Sequence, residues 1–356
     1  MSQQIIKCTN LLRDLELLLS NIDYDKLFVL TDQNTQRLCL PVLASCEQLA
    51  RAGRICIPAG DEHKNTETLS FVWAYLSQHG ASRRSLLINL GGGMLTDLGG
   101  FAAASFKRGI RFINIPTTLL AIVDAAVGGK TGINFQGFKN EIGAFAPAQA
   151  VLIDTLFLKS LDRENFLSGY AEMIKHGILC SEEECNKILS FDLQKLDRGI
   201  IDHELLKELV FTSVKIKERI VEEDPTEQGI RKALNFGHTI GHAFESFSYK
   251  TNKPIAHGYA VAFGMVCELY LSFRLQGLPQ DKLMAIVRYI KKNYGSFAFD
   301  CKDYDQLFVL MEHDKKNDAS GINFTLVHNI GQARINQIVG KELIYESLDF
   351  YREYCE

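Results

Sequence analysis

Leu86-Leu87-Ile88-Asn89-Leu90-Gly91-Gly92-Gly93-Met94-Leu95-Thr96-Asp97-Leu98-Gly99-Gly100 reads as a buried strand that breaks at a glycine turn and enters a helix. A short apolar run bounded by glycine suits a strand with both faces covered, and such strands belong to parallel sheets. Similar runs flank it: Leu27-Phe28-Val29-Leu30, Ile55-Cys56-Ile57 and Phe112-Ile113-Asn114-Ile115. Helical stretches are expected near 35–50, 66–79 and 95–105, between these strands. Strands alternating with helices predict an α/β domain with a mostly parallel, doubly wound sheet, whose ligands bind beyond the carboxyl ends of the strands. Those ends read Thr31-Asp32, Pro58-Ala59-Gly60-Asp61, Gly91-Gly92-Gly93 and Pro116-Thr117-Thr118, so glycine, aspartate and threonine gather where a nucleotide would lie.

Beyond about residue 160 the periodicity lengthens, with helices expected over 202–222, 229–248, 258–275 and 279–292. A hairpin is expected from 321–327 and 333–339, turning through Gly331. The chain of 356 residues exceeds what one hydrophobic core usually serves. Two domains follow, an α/β domain over 1–160 and a mostly α-helical one over 161–356. Hydrophobic residues make up 46% and charged residues 23%, with a net charge of -4, which fits an ordinary globular protein and gives no basic bias toward nucleic acid. The opening stretch places Arg13, Asp14 and Glu16 among its apolar residues, which suits neither a signal peptide nor a membrane span, so a cytoplasmic protein is expected. Nine cysteines occur without a C-x-x-C pair, mostly in apolar settings, and are expected to be reduced and structural.

Three segments carry candidate chemistry. The Gly91-Gly92-Gly93 turn lets backbone amides and a helix N-terminus approach a pyrophosphate, although it is not G-x-G-x-x-G and suits an ordinary tight turn as well. Gly128-Gly129-Lys130-Thr131-Gly132, followed by Lys139-Asn140, offers two ammonium groups and an amide to an oxyanion, without the Walker A spacing; a solvated basic loop reads the same way. In Gly237-His238-Thr239-Ile240-Gly241-His242, the two imidazoles stand one helical turn apart on one face, a spacing that can hold one metal ion. His257 before an apolar helix, and Glu172 within an uncharged run, are further ligand candidates. Two imidazoles and one carboxylate suit zinc while leaving a position open for substrate. Lys175 shares a face with Glu172, and Lys217, Arg231, Lys315 and Lys316 are additional cations of the second half.

The ordered set GGGMLTDLGGF, NIPTTLLAIVDAAVGGKTGIN, KNEIGAF, GYAEMIKHG, LNFGHTIGHAFE and AHGYAVAFGM resembles the 3-dehydroquinate synthase family of sugar phosphate cyclases, over about 32–316. The resemblance implies a Rossmann-like domain and a helical domain with the active site between them. It implies NAD and Zn2+ (or Co2+) as cofactors and a homodimer. It makes Glu172, His238 and His257 the metal ligands, where helical spacing alone selects His242. His242 then falls near the substrate phosphate with Lys130, Asn140, Asn235 and a lysine of the Lys315-Lys316 pair. Lys217 and Arg231 match positions that hold a substrate carboxylate, Asp124 and Lys175 lie near the reacting carbon, and Arg108 reaches the partner subunit's site. For NAD the matching positions are Asp32, Asn34, Asp61, Lys64, Gly91, Gly92, Gly93, Asp97, Thr117, Thr118, Lys139, Phe157 and Ser160. The implied reaction converts 3-deoxy-D-arabino-heptulosonate 7-phosphate to 3-dehydroquinate by transient oxidation, loss of phosphate, reduction and aldol closure.

The chain departs from the family pattern at Asp61, where glutamate is common, and at Ala125-Ala126, where two serines are common. The alternatives are a sister cyclase acting on sedoheptulose 7-phosphate, a polyol dehydrogenase using the same cofactors, and an inactive NAD-binding regulator. Two cations in a pocket for a carboxylate-free substrate would be desolvated without a partner, which argues against the first of these.

Overall fold

The computed structural model describes residues 3–136, 138–198, 201–312 and 322–355, and the chain divides into two compact units, Met1–Asp162 and Arg163–Glu356. The first unit runs β1 (Gln4–Lys7), α1 (Leu11–Ser20), β2 (Leu27–Asp32), α2 (Gln33–Leu38), α3 (Glu47–Ala50), β3 (Gly53–Ile57), α4 (Thr66–Gln78), β4 (Leu86–Gly91), α5 (Gly93–Ser105) and β5 (Arg111–Pro116). It ends with β6 (Lys130–Phe135), β7 (Phe138–Phe145) and β8 (Ala150–Ile153). Six strands form one parallel sheet in the order β1-β8-β5-β4-β2-β3, and β6 pairs antiparallel with β7. Every residue of β2 and of β4 is buried, which is why their sequences are apolar without alternation.

The chain leaves β2 for β3 on one side and returns past it to β4 on the other. The strand order therefore reverses between β2 and β4, and a crevice for a ligand opens at such a point. Asp32 closes β2 and Gly91 closes β4, so the glycine turn and the aspartate stand on either side of the reversal. One face of the sheet packs Val29, Ile88 and Ile113 against Leu11, Leu15 and Leu19 of α1.

The helix expected over 35–50 is instead α2, a 3-10 turn and α3, because Pro41 opens the 3-10 turn and supplies no amide to continue α2. Sequence reading also passed over β1, β8 and the β6-β7 hairpin.

The second unit runs α6 (Arg163–Cys180), α7 (Glu182–Ser190), α8 (His203–Glu223), α9 (His238–Lys250), α10 (His257–Gln276), α11 (Gln280–Tyr294), α12 (Tyr304–Glu312), β9 (Ile322–Asn329), β10 (Gln332–Val339) and α13 (Lys341–Cys355). The hairpin β9-β10 turns at Gly331, whose φ of 79° is open to glycine at little cost. The helix expected over 229–248 begins only at His238, because Gly237 takes φ 79° and ends the preceding 3-10 turn, Ile230–Asn235. Among the described residues no helix is long and apolar enough to cross a membrane.

Burial pushes the Cys8 and Cys185 thiols up to about 12 and Cys39 to about 11, while Cys301 is exposed. At pH 8 a thiol held that high presents only roughly one thiolate in a thousand or fewer. A thiol-alkylating reagent applied to the native protein at pH 8 should therefore modify Cys301 and spare Cys8, Cys39 and Cys185 until denaturant is added. Peptide mass spectrometry reads the order of modification.

Candidate active site

In the second unit, α9 and α10 meet almost backbone to backbone. A Cβ on Gly264 would stand 2.1 Å from the Gly237 carbonyl oxygen and 2.6 Å from the Gly241 nitrogen. That approach brings His238 and His242, from the start of α9, against His257, the first residue of α10. The ring centroids lie 5.3 Å (238–242), 5.5 Å (238–257) and 5.8 Å (242–257) apart. One ligand atom from each of the three falls within 4.8 Å of the others, a separation that one cation can bridge.

Glu172 enters from α6 and is completely buried. Its Oε1 lies 3.4 Å from His238 Nε2 and 3.7 Å from His257 Nε2, and Lys175 contacts its Oε2 from the next helical turn. Neither oxygen accepts a well-directed hydrogen bond. A buried carboxylate left so is costly to solvate by protein dipoles alone, and a divalent cation among these atoms would supply what is missing. Burial by itself pushes the Glu172 carboxyl up, but Lys175 and the two imidazoles outweigh it and hold the group well below the usual carboxylate range. The group therefore stays ionised at neutral pH. Burial and Lys175 pull His238 down to about 4, which leaves it a neutral imidazole at pH 7. For His257 burial also pulls down, but Glu245 and Glu172 outweigh it and raise the imidazole to about 10, so a cation must displace a proton there.

The remaining imidazole nitrogens are also held. His238 Nδ1 lies 3.1 Å from the Phe236 carbonyl oxygen, and His257 Nδ1 lies 3.0 Å from Glu245 Oε2. A carbonyl and a carboxylate can only accept, so each Nδ1 carries a proton and Nε2, the nitrogen facing Glu172, is the one left for a cation, at His257 once its second proton is displaced. The N-terminus of α9 is occupied by another buried acid. Glu268 of α10 accepts from the Gly237 amide at 2.5 Å and from Ile240 at 3.2 Å. That carboxylate answers the exposed amides of the first turn, and so locks the turn that carries His238.

Sequence reasoning assigned no role to Glu245 or Glu268. Each is an acid within an apolar helical run, the same signal that drew attention to Glu172. Lys217 on α8 and Arg231 on the 230–235 turn are both buried, and α6 packs against both of these elements. Arg231 Nη1 donates to the Pro225 carbonyl at 2.7 Å, and Asn235 Nδ2 donates to Glu227 at 3.0 Å. His176, one turn beyond Glu172, is 2.7 Å through Nδ1 from the Ser213 hydroxyl of α8. Lys315 and Lys316 lie outside the described residues.

In the first unit four of the expected cofactor residues, Asp61, Lys64, Asp97 and Lys139, gather in one polar cluster with Asn134 and Asn140. Buried Lys64 donates to Asp97 at 2.6 Å and to Asn140 at 2.5 Å. Lys139 lies 3.5 Å from Asp61, and Asn134, which sequence reasoning left aside, donates to Asp61 at 3.2 Å and accepts from the Asn140 amide at 3.0 Å. Asn140, expected at a substrate phosphate, thus sits with the residues expected to hold NAD. Asp32 caps α2 through the Thr35 amide at 2.8 Å, and Asn34 is exposed in the next turn. No side chain caps Gly92 at the start of α5, and no acid lies in that helix's first turn, which leaves its amides suited to an anion. Thr117 donates its amide to the Gly91 carbonyl, and Thr118 lies over Gly92. Asp124 sits on a single π-turn, Ala121–Ala125, and Lys130 is exposed. The Phe157 side chain belongs to the core, so it can offer a ligand only its backbone; Ser160 donates to its carbonyl. Arg108 is exposed in a turn where Lys107, Arg108 and Gly109 all have positive φ (51°, 67° and 114°).

Two family models cover most of the chain: 3-dehydroquinate synthase N-terminal matches residues 54–168 and 3-dehydroquinate synthase C-terminal matches 169–317. The chain belongs to the 3-dehydroquinate synthase family. A 3-dehydroquinate synthase of Parabacteroides distasonis is 57% identical over 351 residues, covering 99% of this chain and 98% of the relative. One from Pyrococcus furiosus is 39% identical over 335 residues, covering 93% and 94%. Among solved structures, 2-epi-5-epi-valiolone synthase from Streptomyces hygroscopicus with NAD+ and Zn2+ bound superposes with a TM-score of 0.87 at 23% identity, over 99% of this chain and 97% of that one. A 2-deoxy-scyllo-inosose synthase complexed with carbaglucose-6-phosphate, NAD+ and Co2+ gives 0.82 at 25% identity, over 98% and 96%. The expected fold class, a Rossmann-like α/β part followed by a mostly helical part, is the one observed and the one these neighbours share.

Replacing Gly264 by alanine sets two opposing effects against each other. Helix propensity favours alanine by about 1 kcal/mol, whereas overpacking costs about 1–3 kcal/mol, and here the obstructing atoms are backbone that cannot rotate away. Gly264→Ala should therefore lower stability by up to about 2 kcal/mol in urea unfolding, and weaken metal uptake by moving α9 off α10.

Proposed function

We propose that this protein is a 3-dehydroquinate synthase, converting 3-deoxy-D-arabino-heptulosonate 7-phosphate into 3-dehydroquinate and inorganic phosphate in the shikimate pathway. The observation that carries the reading is the convergence of Glu172, His238 and His257, an ionised buried carboxylate faced by two oriented Nε2 atoms. These three are the proposed ligands of a divalent cation, Zn2+ or Co2+, with His242 turned to substrate. The first unit is the proposed NAD-binding domain and the second the metal- and substrate-binding domain. NAD supplies reversible hydride acceptance, and the cation supplies Lewis-acid polarisation of the oxygen that is transiently oxidised.

The chain's own residues do the rest. Lys217 and Arg231, cations buried beside α6, suit the substrate carboxylate and favour the heptulosonate over a sugar phosphate that lacks one. Lys130, Asn140, Asn235 and His242, with a lysine of the Lys315-Lys316 pair, are the proposed phosphate donors. Lys175 and Asp124 are the proposed groups at the reacting hydroxyls, with Lys175 held in place by its ion pair to Glu172. Asp32, Asn34, Asp61, Lys64, Gly91, Gly92, Gly93, Asp97, Thr117, Thr118, Lys139, Phe157 and Ser160 are the proposed NAD contacts. The polar cluster around Lys64 and the uncapped start of α5 at the strand-order reversal support that placement. Asp61, shorter than glutamate by a methylene, keeps a carboxylate for a ribose hydroxyl.

A cytoplasmic homodimer is proposed as well. Arg108, presented on a left-handed turn, suits a residue that completes the neighbouring copy's site, and exposed Phe138 and Phe145 of β7 suit burial against another chain.

The deciding assay incubates the metal-loaded protein with the heptulosonate phosphate and a trace of NAD, following phosphate and NADH together. Phosphate release without NADH accumulation is expected. Release only from sedoheptulose 7-phosphate, or stoichiometric NADH from a polyol, would overturn the reading in favour of a sister cyclase or a dehydrogenase. Glu172→Gln should lose metal and turnover together, whereas His242→Ala should retain the metal and lose roughly 100-fold or more in turnover, as for a proton-transfer or positioning group. Atomic absorption on the purified variants separates the two. Lys64→Met, which deletes charge-assisted bonds of about 1.5–3 kcal/mol each, should raise the KM for NAD roughly tenfold or more with metal content unchanged.

A further inference from the structure

We infer that Glu245 is a positioning residue of the metal centre, acting through His257: its carboxylate aims the imidazole and fixes which nitrogen is left to bind. The inference rests on the reading of Glu172, His238 and His257 as a cation site. Glu245 stands on α9, and its side chain is almost wholly buried, with Oε2 3.0 Å from His257 Nδ1.

The surroundings of His257 show why one more restraint is needed. It is the first residue of α10, and no side chain caps that helix end at Ala256. Its backbone is anchored by the next residue, since the Gly258 amide donates to the Ser168 hydroxyl of α6 at 3.0 Å. Ser168 and Glu172 are one turn apart on α6, so that helix sets both the backbone of His257 and the carboxylate that its Nε2 faces at 3.7 Å. Neither contact fixes rotation of the ring. The bond to Glu245 does, because an imidazole held through Nδ1 presents Nε2 in a single direction.

His238 and His257 differ in this respect. The Nδ1 of His238 is held by a backbone carbonyl, that of His257 by a full negative charge. A carboxylate makes the opposite nitrogen a stronger donor than a carbonyl does, and removing such a partner commonly weakens metal binding by about 10–100-fold. Of the two proposed imidazole ligands, His257 is thus the one held through Nδ1 by a side chain. Glu245 touches neither substrate nor cation in this role.

The test measures Co2+ affinity of the full-length protein by competition with a chromophoric chelator, and records the visible d–d spectrum of the Co2+ form. Glu245→Ala is expected to bind Co2+ about 10–100-fold more weakly with an altered d–d spectrum. Glu245→Gln, whose amide oxygen still accepts from Nδ1, should recover the spectrum and part of the affinity. Thermal unfolding of the chelator-treated proteins establishes that each variant is folded, and Glu245→Gln carries the test if Glu245→Ala is not. Wild-type affinity and an unchanged spectrum in both variants would overturn the role of Glu245 while leaving the metal centre standing. Failure of the wild-type protein to take up Co2+ would overturn the metal centre itself, and this inference with it.

Discussion

A carboxylate with no exposure to water, Glu172, is the constraint around which the second unit is arranged. Taking such a group out of solvent costs several kcal/mol even after relaxation, and the offset comes both from its own helix and from two others. Lys175 comes from the same helix, His238 from α9 and His257 from α10. The latter two are near Glu172 only because glycines at 237, 241 and 264 let α9 and α10 touch through their backbones. Two further buried acids then act on the geometry from behind. Glu268 holds the first turn of α9, and Glu245 holds the ring of His257. The second unit therefore concentrates three carboxylates around His238 and His257, negative charge that Lys175 offsets only in part and that suits a divalent cation.

The first unit meets a different physical demand. Its central strands, buried on both faces, provide stiffness, and its chemistry is confined to the ends where strands give way to turns. The reversal of strand order between β2 and β4 leaves room for a ligand beside Asp32 and Gly91. Lys64 anchors the polar cluster there, tying a residue after β3 to Asp97 on α5 and to Asn140 on β7. A network of this kind links three segments distant in sequence and holds donors and acceptors at fixed spacing for a charged ligand.

Much of this was legible before any coordinates. The strands β2, β3, β4 and β5 announce themselves as apolar runs ending in glycine, aspartate or threonine, because a strand covered on both faces has no polar alternation to hide it. The helices α8, α10 and α11 follow their periodicity closely. Misreadings had local causes: Pro41 divides one expected helix, and Gly237 delays another to His238. The short β1 and β8 escaped notice because strands of four residues carry little pattern, and their identity depends on the neighbours they pair with.

At the proposed metal site, sequence by itself determined the residue types and the one-turn spacing of His238 and His242, since a helix imposes that spacing wherever it forms. Spacing alone selects His242 as the companion of His238, and only the family resemblance made Glu172 and His257 the ligands in its place. Helical periodicity reports only neighbours on the same helix, whereas Glu172 and His257 arrive from α6 and α10. The roles of Glu245 and Glu268 belong wholly to tertiary structure for the same reason. A buried acid in an apolar run signals that it must be compensated, but only the packing of three helices specifies by which group, through which atom and in which direction.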